Sequence, residues 1–286
     1  MKNSFILLII CFISCSCRPD LDYEIRGYSQ KIMVEGYIAN GEFPKVYVSL
    51  NVPLRKQIDS VSILENVVRT AKVTISDGEK TEVLTSGFWD YTHFPPHVYK
   101  GFDIKGVAGK TYYLTVEYSG HTMNAQTTIP YSIDNLSFKT TSLEGNDSLR
   151  ILSMSFNIDP TRKNAYRVFT KKKKDKLFVE TPILYNAEFT LSGNNSFNIN
   201  PKPTKNDSSY TEGIYFAKGD IVQVKLCAID SASTQLYKAL TLFSSTSGVG
   251  NIYFIGEKDA LKSNITLPGF GIWCGNWTKN SVVIIH

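Results

Sequence analysis

Short alternating segments separated by turn residues dominate this chain and restrict it to a β-rich fold. Residues 71–76 alternate apolar and polar side chains, turn at Asp77-Gly78, and return through residues 81–84. Asp-Gly between two alternating runs is a strong hairpin signal, because both residues tolerate the positive φ that a two-residue turn needs. A period of two places one face of each strand in a core and the other in water. We therefore predict an all-β protein.

The alternating segments form two groups, which predict two domains. The first, residues 27–131, has the strand spacing of an immunoglobulin-like β-sandwich and closes at Pro130. The second, residues 132–286, predicts a β-rich domain with one short helix over residues 233–243, where apolar side chains recur at helical spacing. A chain that ends near Ile133 is therefore expected to fold alone.

One long stretch of the second domain lacks strand signals. Residues 193–210 are rich in Asn, Ser and Pro and predict an exposed loop. Elsewhere the predicted strands are residues 32–38, 45–50, 71–76, 81–84, 112–118 and 122–130 in the first domain, and 149–158, 165–170, 177–179, 187–191, 221–229 and 281–286 in the second.

The N-terminus has the order of a secretory signal peptide, since basic Lys2 is followed by an apolar run and then by small serines. The run is shorter than the about 20 residues that a membrane-spanning helix needs. A cysteine that follows small residues resembles the lipobox of bacterial lipoproteins, where its thiol carries a diacylglyceryl group. We predict a signal peptide over residues 1–16, lipidation at Cys17 with Cys15 as the alternative, and a tether over residues 17–26. Ordinary secretion without a lipid stays open.

The composition of 42% hydrophobic and 20% charged residues is typical of a globular protein. The formal charge of +5 is mild, so nothing points to nucleic acid. The run from Lys171 to Lys176 predicts a solvated hairpin tip or a lysine-protected edge strand, and alternatively a contact for anionic lipopolysaccharide or for a partner's acidic loop. Cys227 and Cys274 are either bridged or two buried thiols.

An aromatic stretch over residues 88–99 lies between two predicted strands and does not alternate. Three interpretations stay open: a local core over one end of the sandwich, an aromatic platform for a sugar, a peptide or a transporter, and a metal site at Asp90, His93 and His97, which Pro95 and Pro96 disfavour. The candidate contact residues are Trp89, Tyr91, His93, His97 and Tyr99.

No motif of a metalloprotease, a serine hydrolase, a P-loop or a dinucleotide-binding protein occurs in the sequence. Paired carboxylates for glycoside hydrolysis need only spatial proximity, so they leave no local signature. We expect a binding protein that is not an enzyme and has no cofactor. The alternative is a lipid-anchored surface enzyme that acts on glycan or peptide.

Several landmarks along the chain resemble those of a lipoprotein family of Bacteroidota that is built on a domain of unknown function. The first is the strand Met-Val-Glu-Gly-Tyr-Ile at residues 33–38. The next are Gly-x-x-Tyr-x-Leu-x-Val at residues 109–116 and Ala-x-Thr-x-Ile-Pro at residues 125–130. The last are Ser-Asn-Ile at residues 263–265 and a glycine-rich turn, Gly-Phe-Gly-Ile-Trp, at residues 269–273.

The resemblance implies an outer-membrane lipoprotein, anchored through its acyl chains and exposed at the cell surface. It further implies a TonB-dependent transporter of the starch-utilisation type, or its lipoprotein partner, as the neighbour. The candidate C-terminal turn would present Trp273 and Trp277. Ser60 and Ser148 resemble acceptors of Bacteroidota O-glycosylation, and ordinary turn serines explain them equally well.

Overall fold

A computed structural model describes residues 30–51, 64–91, 93, 95–158, 164–180, 193–199, 201, 215–230, 233–234 and 263–286. In the described residues the regular secondary structure is nearly all β-strand and almost none is helix, which confirms the predicted all-β class. The predicted signal peptide, tether, Cys15, Cys17 and Ser60 lie outside the described residues. No helix in the described ranges is long and apolar enough to cross a membrane.

Within the described residues, eight strands precede residue 132. They are β1 (Ile32–Ala39), β2 (Lys45–Leu50), β3 (Lys72–Ser76), β4 (Thr81–Val83), β5 (Thr85–Trp89), β6 (His97–Lys100), β7 (Thr111–Tyr118) and β8 (His121–Thr128). The predicted Asp77-Gly78 hairpin is confirmed, since β3 and β4 pair antiparallel on either side of it. Gly78 has a φ of 90°, which explains why a glycine is needed at this turn.

Eight more strands follow. They are β9 (Ser137–Leu143), β10 (Asn146–Ile158), β11 (Ala165–Lys172), β12 (Val179–Glu180), β13 (Gly193–Ile199), β14 (Phe216–Ala217), β15 (Ile221–Ile229) and β16 (Gly269–Ile284). The predicted loop over residues 193–210 is wrong where β13 forms, because Phe197 packs against the core and Ile199 is buried within it. Their spacing of two residues is a strand signal that the surrounding Asn and Ser residues concealed.

The strands form three sheets, of which the largest has the order β12-β11-β15-β16-β1-β2-β6-β5. We call it the central sheet. A second sheet has the order β4-β3-β7-β8 and packs on the central sheet around β1 and β16. In this contact Nε1 of Trp273, in β16, donates to the carbonyl of Tyr112, in β7, at 3.1 Å. The third sheet contains β9, β10, β13 and β14 and packs on the central sheet around β11. In this contact the rings of Phe156, in β10, and Tyr166, in β11, lie 5.0 Å apart. The fold is thus two sandwiches that share one sheet.

The shared sheet joins the two predicted domains. β1 pairs in parallel with β16 over eight residue pairs, from Ile32 with Gly269 to Ala39 with Asn276. One hydrophobic core runs through both sandwiches. The boundary predicted after residue 131 is therefore crossed by hydrogen bonds and by the core, which is a reason to expect that the N-terminal part does not fold alone.

The predicted helix is described only at its start, where Ser233 and Thr234 are helical. Asp230 caps this start: its Oδ1 accepts a hydrogen bond from the Ser233 amide at 2.7 Å, and its carbonyl accepts one from the Thr234 hydroxyl at 2.9 Å. The remainder of the predicted helix lies outside the described residues.

Candidate functional site

The glycine-rich segment near the C-terminus is a strand, and the turn predicted there is wrong. Residues 269–273 open β16, and Trp273 is fully buried between the sheets. Trp277, four residues on, is also buried in the core. Neither tryptophan can offer its ring to a ligand, so both belong to the packing of the sandwich.

Close approach between β1 and β16 explains two of the glycines. A Cβ at Gly36 would lie 2.7 Å from the Trp273 ring. Gly271 has a φ of 141°, and a Cβ there would overlap the carbonyl oxygen of Val34. Because real Cβ atoms do not approach other atoms so closely, both positions require glycine.

The Ser-Asn-Ile landmark supplies hydrogen-bond partners for backbone groups of β16 that lie before residue 276, where pairing with β15 begins. The Asn264 side chain accepts from the Trp273 amide at 2.8 Å and donates to its carbonyl at 2.7 Å. Oγ of Ser263 accepts from the Gly271 amide at 3.0 Å. Oγ1 of Thr127, from the Ala-x-Thr landmark, accepts from the Gly275 amide at 2.7 Å. These contacts give the landmarks a structural role, since buried backbone groups must be paired.

The two remaining cysteines are free thiols buried on the central sheet. Burial raises the pKa of the Cys227 thiol to about 11 and also raises the pKa of Cys274 well above its ordinary value. Such thiols are poor nucleophiles, so they serve packing. The alternative of a disulfide is not realised.

The aromatic stretch divides into buried and exposed side chains. His97 and Tyr99 of β6 are buried, so the prediction that they help form an exposed platform is wrong. The Tyr99 hydroxyl donates to the Val68 carbonyl at 2.9 Å and accepts from the Ala71 amide at 3.0 Å. Nε2 of His97 lies 3.3 Å from Oγ of Ser86. Both rings fill the sandwich, as their spacing of two residues along a strand requires.

Two polar residues tie the loop after β5 to the outer face of the central sheet. Oδ2 of Asp90 accepts from Nζ of Lys45 at 2.6 Å and from the Tyr47 hydroxyl at 3.0 Å. The His93 ring stacks on the Tyr47 ring at 3.6 Å, and its Nε2 lies 3.1 Å from Oε2 of Glu35. Glu35 and Tyr47 are direct neighbours in the pairing of β1 with β2. We call these five residues the anchor cluster.

Exposed aromatic side chains flank Asp90 of the anchor cluster in the sequence or lie nearby on β5 and after β6. Tyr91 is 87% exposed and Trp89 is 50% exposed, on either side of the fixed Asp90. Phe88 of β5 lies 5.4 Å from the ring of Phe102, and both are exposed. We call these four residues the aromatic surface. They lie in and beside β5, one edge strand of the central sheet, where Phe88 and Trp89 are consecutive and therefore face opposite sides of the sheet.

Sequence reasoning missed Phe102, which reaches the aromatic surface from the segment after β6. The Glu82 carboxylate holds this segment by accepting hydrogen bonds from the backbone amides of Asp103 at 3.1 Å and Ile104 at 2.9 Å. Phe43, also missed, lies 6.2 Å from Phe102. No local pattern marks either phenylalanine, because the contact joins distant parts of the chain.

The metal interpretation of Asp90, His93 and His97 finds no support in the geometry. Asp90 and His93 are each bound to other members of the anchor cluster, whereas His97 is in the core. Within the described part of the chain, no three His, Cys, Asp or Glu side chains form a group that could hold a metal ion.

Comparison with protein families matches residues 17–278 to the family described as Domain of unknown function (DUF4249). This match spans nearly the whole chain. The protein belongs to the DUF4249 family. No curated protein matches it. Among solved structures, a chain of a "Cytokine receptor complex - Crystal form 1A" is 10% identical, with 70% of this chain and 85% of that chain covered and a TM-score of 0.26. A TM-score this low carries no argument.

Electrostatics of the anchor cluster in this DUF4249 protein favour a charged His93. Burial lowers the pKa of His93, but the hydrogen bond to Glu35 and the charge of that carboxylate outweigh it, so the pKa lies above its ordinary value. Burial and then the nearby Asp90 raise the pKa of Tyr47 far above its usual range, which keeps its hydroxyl as a donor. His97 shows the opposite shift, since burial and then Arg69 lower its pKa.

We expect His93 to stabilise the protein most at mildly acidic pH. Because its pKa is higher in the folded state, its contribution is fully present below the unfolded value of about 6.5 and is lost as the pH rises through the raised value. Replacing His93 with Gln should therefore lower the free energy of unfolding by up to about 1 kcal/mol more at pH about 6 than at pH about 9. Urea unfolding of both proteins at both pH values measures this.

The pH-dependent contribution of His97 to the free energy of unfolding has the opposite sign. It is the same in the wild type and in His93→Gln, so it cancels when the two are compared. An equal cost of His93→Gln at the two pH values would show that the His93–Glu35 contact does not depend on charge.

Ser148 is exposed near the start of β10, where its amide donates to Oδ1 of Asn146 at 2.9 Å. Its position is compatible with both interpretations given above, a modified serine and a turn serine. Its modification stays a prediction.

Proposed function

We propose that this protein is a lipid-anchored accessory protein at the outer-membrane surface of a Bacteroidota cell, which captures a ligand for, or acts as a scaffold of, a TonB-dependent uptake system. The N-terminal sequence supports the anchor, with the acyl chains on Cys17. Membership of the DUF4249 family and the order of the landmarks support the cellular setting. Two or three acyl chains give stable anchoring, because each buried CH₂ contributes about 0.8 kcal/mol.

The observation that carries the binding role is that the anchor cluster fixes Asp90, while the side chains of Trp89 and Tyr91 on either side of it are exposed. Asp90 has only 12% of its side chain exposed and is bound by Lys45, whereas Tyr91 beside it is almost fully exposed. The loop backbone is closed by a hydrogen bond from the Asp90 amide to the Pro96 carbonyl at 2.6 Å. The polar residues thus fix the loop, and the aromatic residues face solvent.

A fixed loop with exposed aromatic rings suits binding, because little conformational entropy is lost when a partner orders it. Large aromatic side chains are the usual anchors of protein interfaces, and each contributes about 1 kcal/mol or more when it is desolvated. Loops on a rigid β-scaffold are also the usual location of binding residues. A transporter, a peptide or a sugar would each meet the exposed rings of Trp89 and Tyr91 on either side of the fixed Asp90.

Replacing Trp89 and Tyr91 together with Ala is expected to weaken retention of the partner by at least about tenfold, with a nearly unchanged melting temperature. Tyr91 is 87% exposed and Trp89 is 50% exposed beside the His97 ring, so the variant loses part of the buried surface of Trp89 but no fully buried side chain. The measurement is co-purification of the transporter from native membranes, beside thermal melting. Tyr113→Ala is the matched control, since Tyr113 is an exposed aromatic residue of β7 on the other sheet.

Unchanged retention in the double variant would refute the binding role. A large fall in melting temperature would show instead that the loop is a local core.

The alternative of a surface enzyme acting on glycan or peptide has no observation of its own. The two carboxylates of the anchor cluster, Glu35 and Asp90, are both taken up by basic or hydroxyl partners within the cluster. That arrangement suits fixing a loop, whereas a hydrolytic pair must face the substrate.

A further inference from the structure

The hairpin of β11 and β12 carries most of the net charge of the chain. Residues 165–180 contain six Lys or Arg and two Asp or Glu, for a net charge of +4, while the whole chain has +5. The lysine run lies at the end of β11 and in the turn that follows it. The hairpin is therefore a strongly basic surface on a nearly neutral protein.

The acidic groups near the hairpin do not neutralise its tip. Glu180 receives both Nε and Nη2 of Arg167, at 2.8 and 2.9 Å. Asp220 binds Nζ of Lys172 at 3.2 Å, and Asp175 accepts from the Lys172 amide at 3.0 Å. Among the residues that the structure describes, no carboxylate lies within ion-pair distance of the other lysines of the hairpin, namely Lys171, Lys173, Lys174 and Lys176.

Two aromatic rings beside the tip hold further cations on one face of the sheet. Nζ of Lys225 lies 4.8 Å from the centre of the Phe169 ring and 5.0 Å from that of Phe178. Nζ of Lys171 lies 5.1 Å from the Phe178 ring. Ring faces attract ammonium groups and limit their motion, so these charges are fixed at the surface. Leu177, at the tip, is 66% exposed and adds an apolar contact.

We propose that this hairpin binds the phosphate-bearing surface of a membrane. Lysines act as point charges that suit a diffuse layer of phosphates, and an exposed leucine among them can enter the interface between headgroups and acyl chains. A protein partner that adds a strand is disfavoured, because β12 at this edge has only two residues.

The test uses the chain from residue 18, which lacks the acylated cysteine, with vesicles that contain no protein, so that neither the acyl anchor nor the transporter contact affects the outcome. Sedimentation with vesicles of phosphatidylcholine mixed with phosphatidylglycerol measures binding, and vesicles of phosphatidylcholine alone are the comparison. We expect binding to the anionic vesicles only, weakened by salt. Replacing Lys173, Lys174 and Lys176 with Gln should reduce the partition coefficient by roughly 100-fold at low salt.

Matched variants separate the position of the charges from their number. Replacing Lys80, Lys139 and Lys279 with Gln removes the same charge from other exposed sites and should leave binding nearly unchanged. Replacing the three hairpin lysines with Arg should keep it. Absence of binding to anionic vesicles, or equal losses in the two Gln variants, would overturn the proposal. Soluble glycerol phosphate should not release the protein from the anionic vesicles. Release by glycerol phosphate as complete as release by an excess of unlabelled vesicles would also overturn the proposal and indicate a site for free phosphate.

Discussion

Replacing Gly271 with Ala is expected to lower the free energy of unfolding by about 3 kcal/mol or more, which is a drop in melting temperature of about 6–12 °C. The new Cβ would overlap the Val34 carbonyl, so β1 and β16 would have to separate. These strands form the junction between the two sandwiches. A local overlap there should therefore weaken the packing of both.

Gly120→Ala is the control for the conformational part of this effect. Gly120 also has a positive φ, of 77°, but a Cβ there would meet no atom within 4 Å. It should cost only about 1 kcal/mol, the usual penalty for a left-handed backbone. Thermal and urea unfolding of both variants measure the difference. Equal stability of the two would show that the close approach of β1 to β16 is not a constraint.

A chain truncated after Ile133 is expected to show no cooperative unfolding transition. It would lose β16, the parallel partner of β1 over eight residue pairs. It would also lose the Trp273 ring, which packs beside Gly36 and donates to the Tyr112 carbonyl. Removing a buried tryptophan side chain alone costs about 3–5 kcal/mol, a large part of the about 5–15 kcal/mol that stabilises a domain.

This expectation is the opposite of the one drawn from the sequence, where strand spacing indicated a sandwich complete by Pro130. Near-ultraviolet circular dichroism and thermal melting of the truncated chain decide between them. A sharp melting transition would show that the N-terminal part folds alone, as the sequence predicted. The shared sheet would then be only a contact between two independent domains.

Local patterns predicted many of the strands because they record which face of each strand is buried, but β5, β6, β9 and most of β16 were not predicted. Residues 221–229 alternate clearly and form β15 with the predicted bounds. β13 was missed because Asn and Ser residues surround Phe197 and Ile199. Strand propensity in such a segment is weak, and packing of the two apolar side chains decides the outcome.

Pairing between distant strands could not be predicted in the same way. β1 and β16 lie more than 200 residues apart, and alternation within a strand does not specify its partner. Gly36 lies opposite Trp273 in the register, a relation that becomes visible once the strands are paired.

The candidate site was predicted in part. The aromatic stretch was singled out by its composition, and Trp89 and Tyr91 are exposed as the platform interpretation requires. The roles of its polar residues were not visible, because Lys45, Tyr47 and Glu35, which bind them, come from two earlier strands. His97 and Tyr99 were misplaced because they belong to β6, which begins inside the stretch.

The most direct test of the binding role is site-specific photo-crosslinking at Tyr91 in the native membrane. A photoreactive amino acid at this position, where the side chain is 87% exposed, should form a crosslink to a TonB-dependent transporter or its lipoprotein partner, identified by mass spectrometry. The same amino acid at Tyr113, on the opposite sheet, should not. Crosslinking to the transporter from Tyr113 but not from Tyr91, or from neither position, would contradict the account.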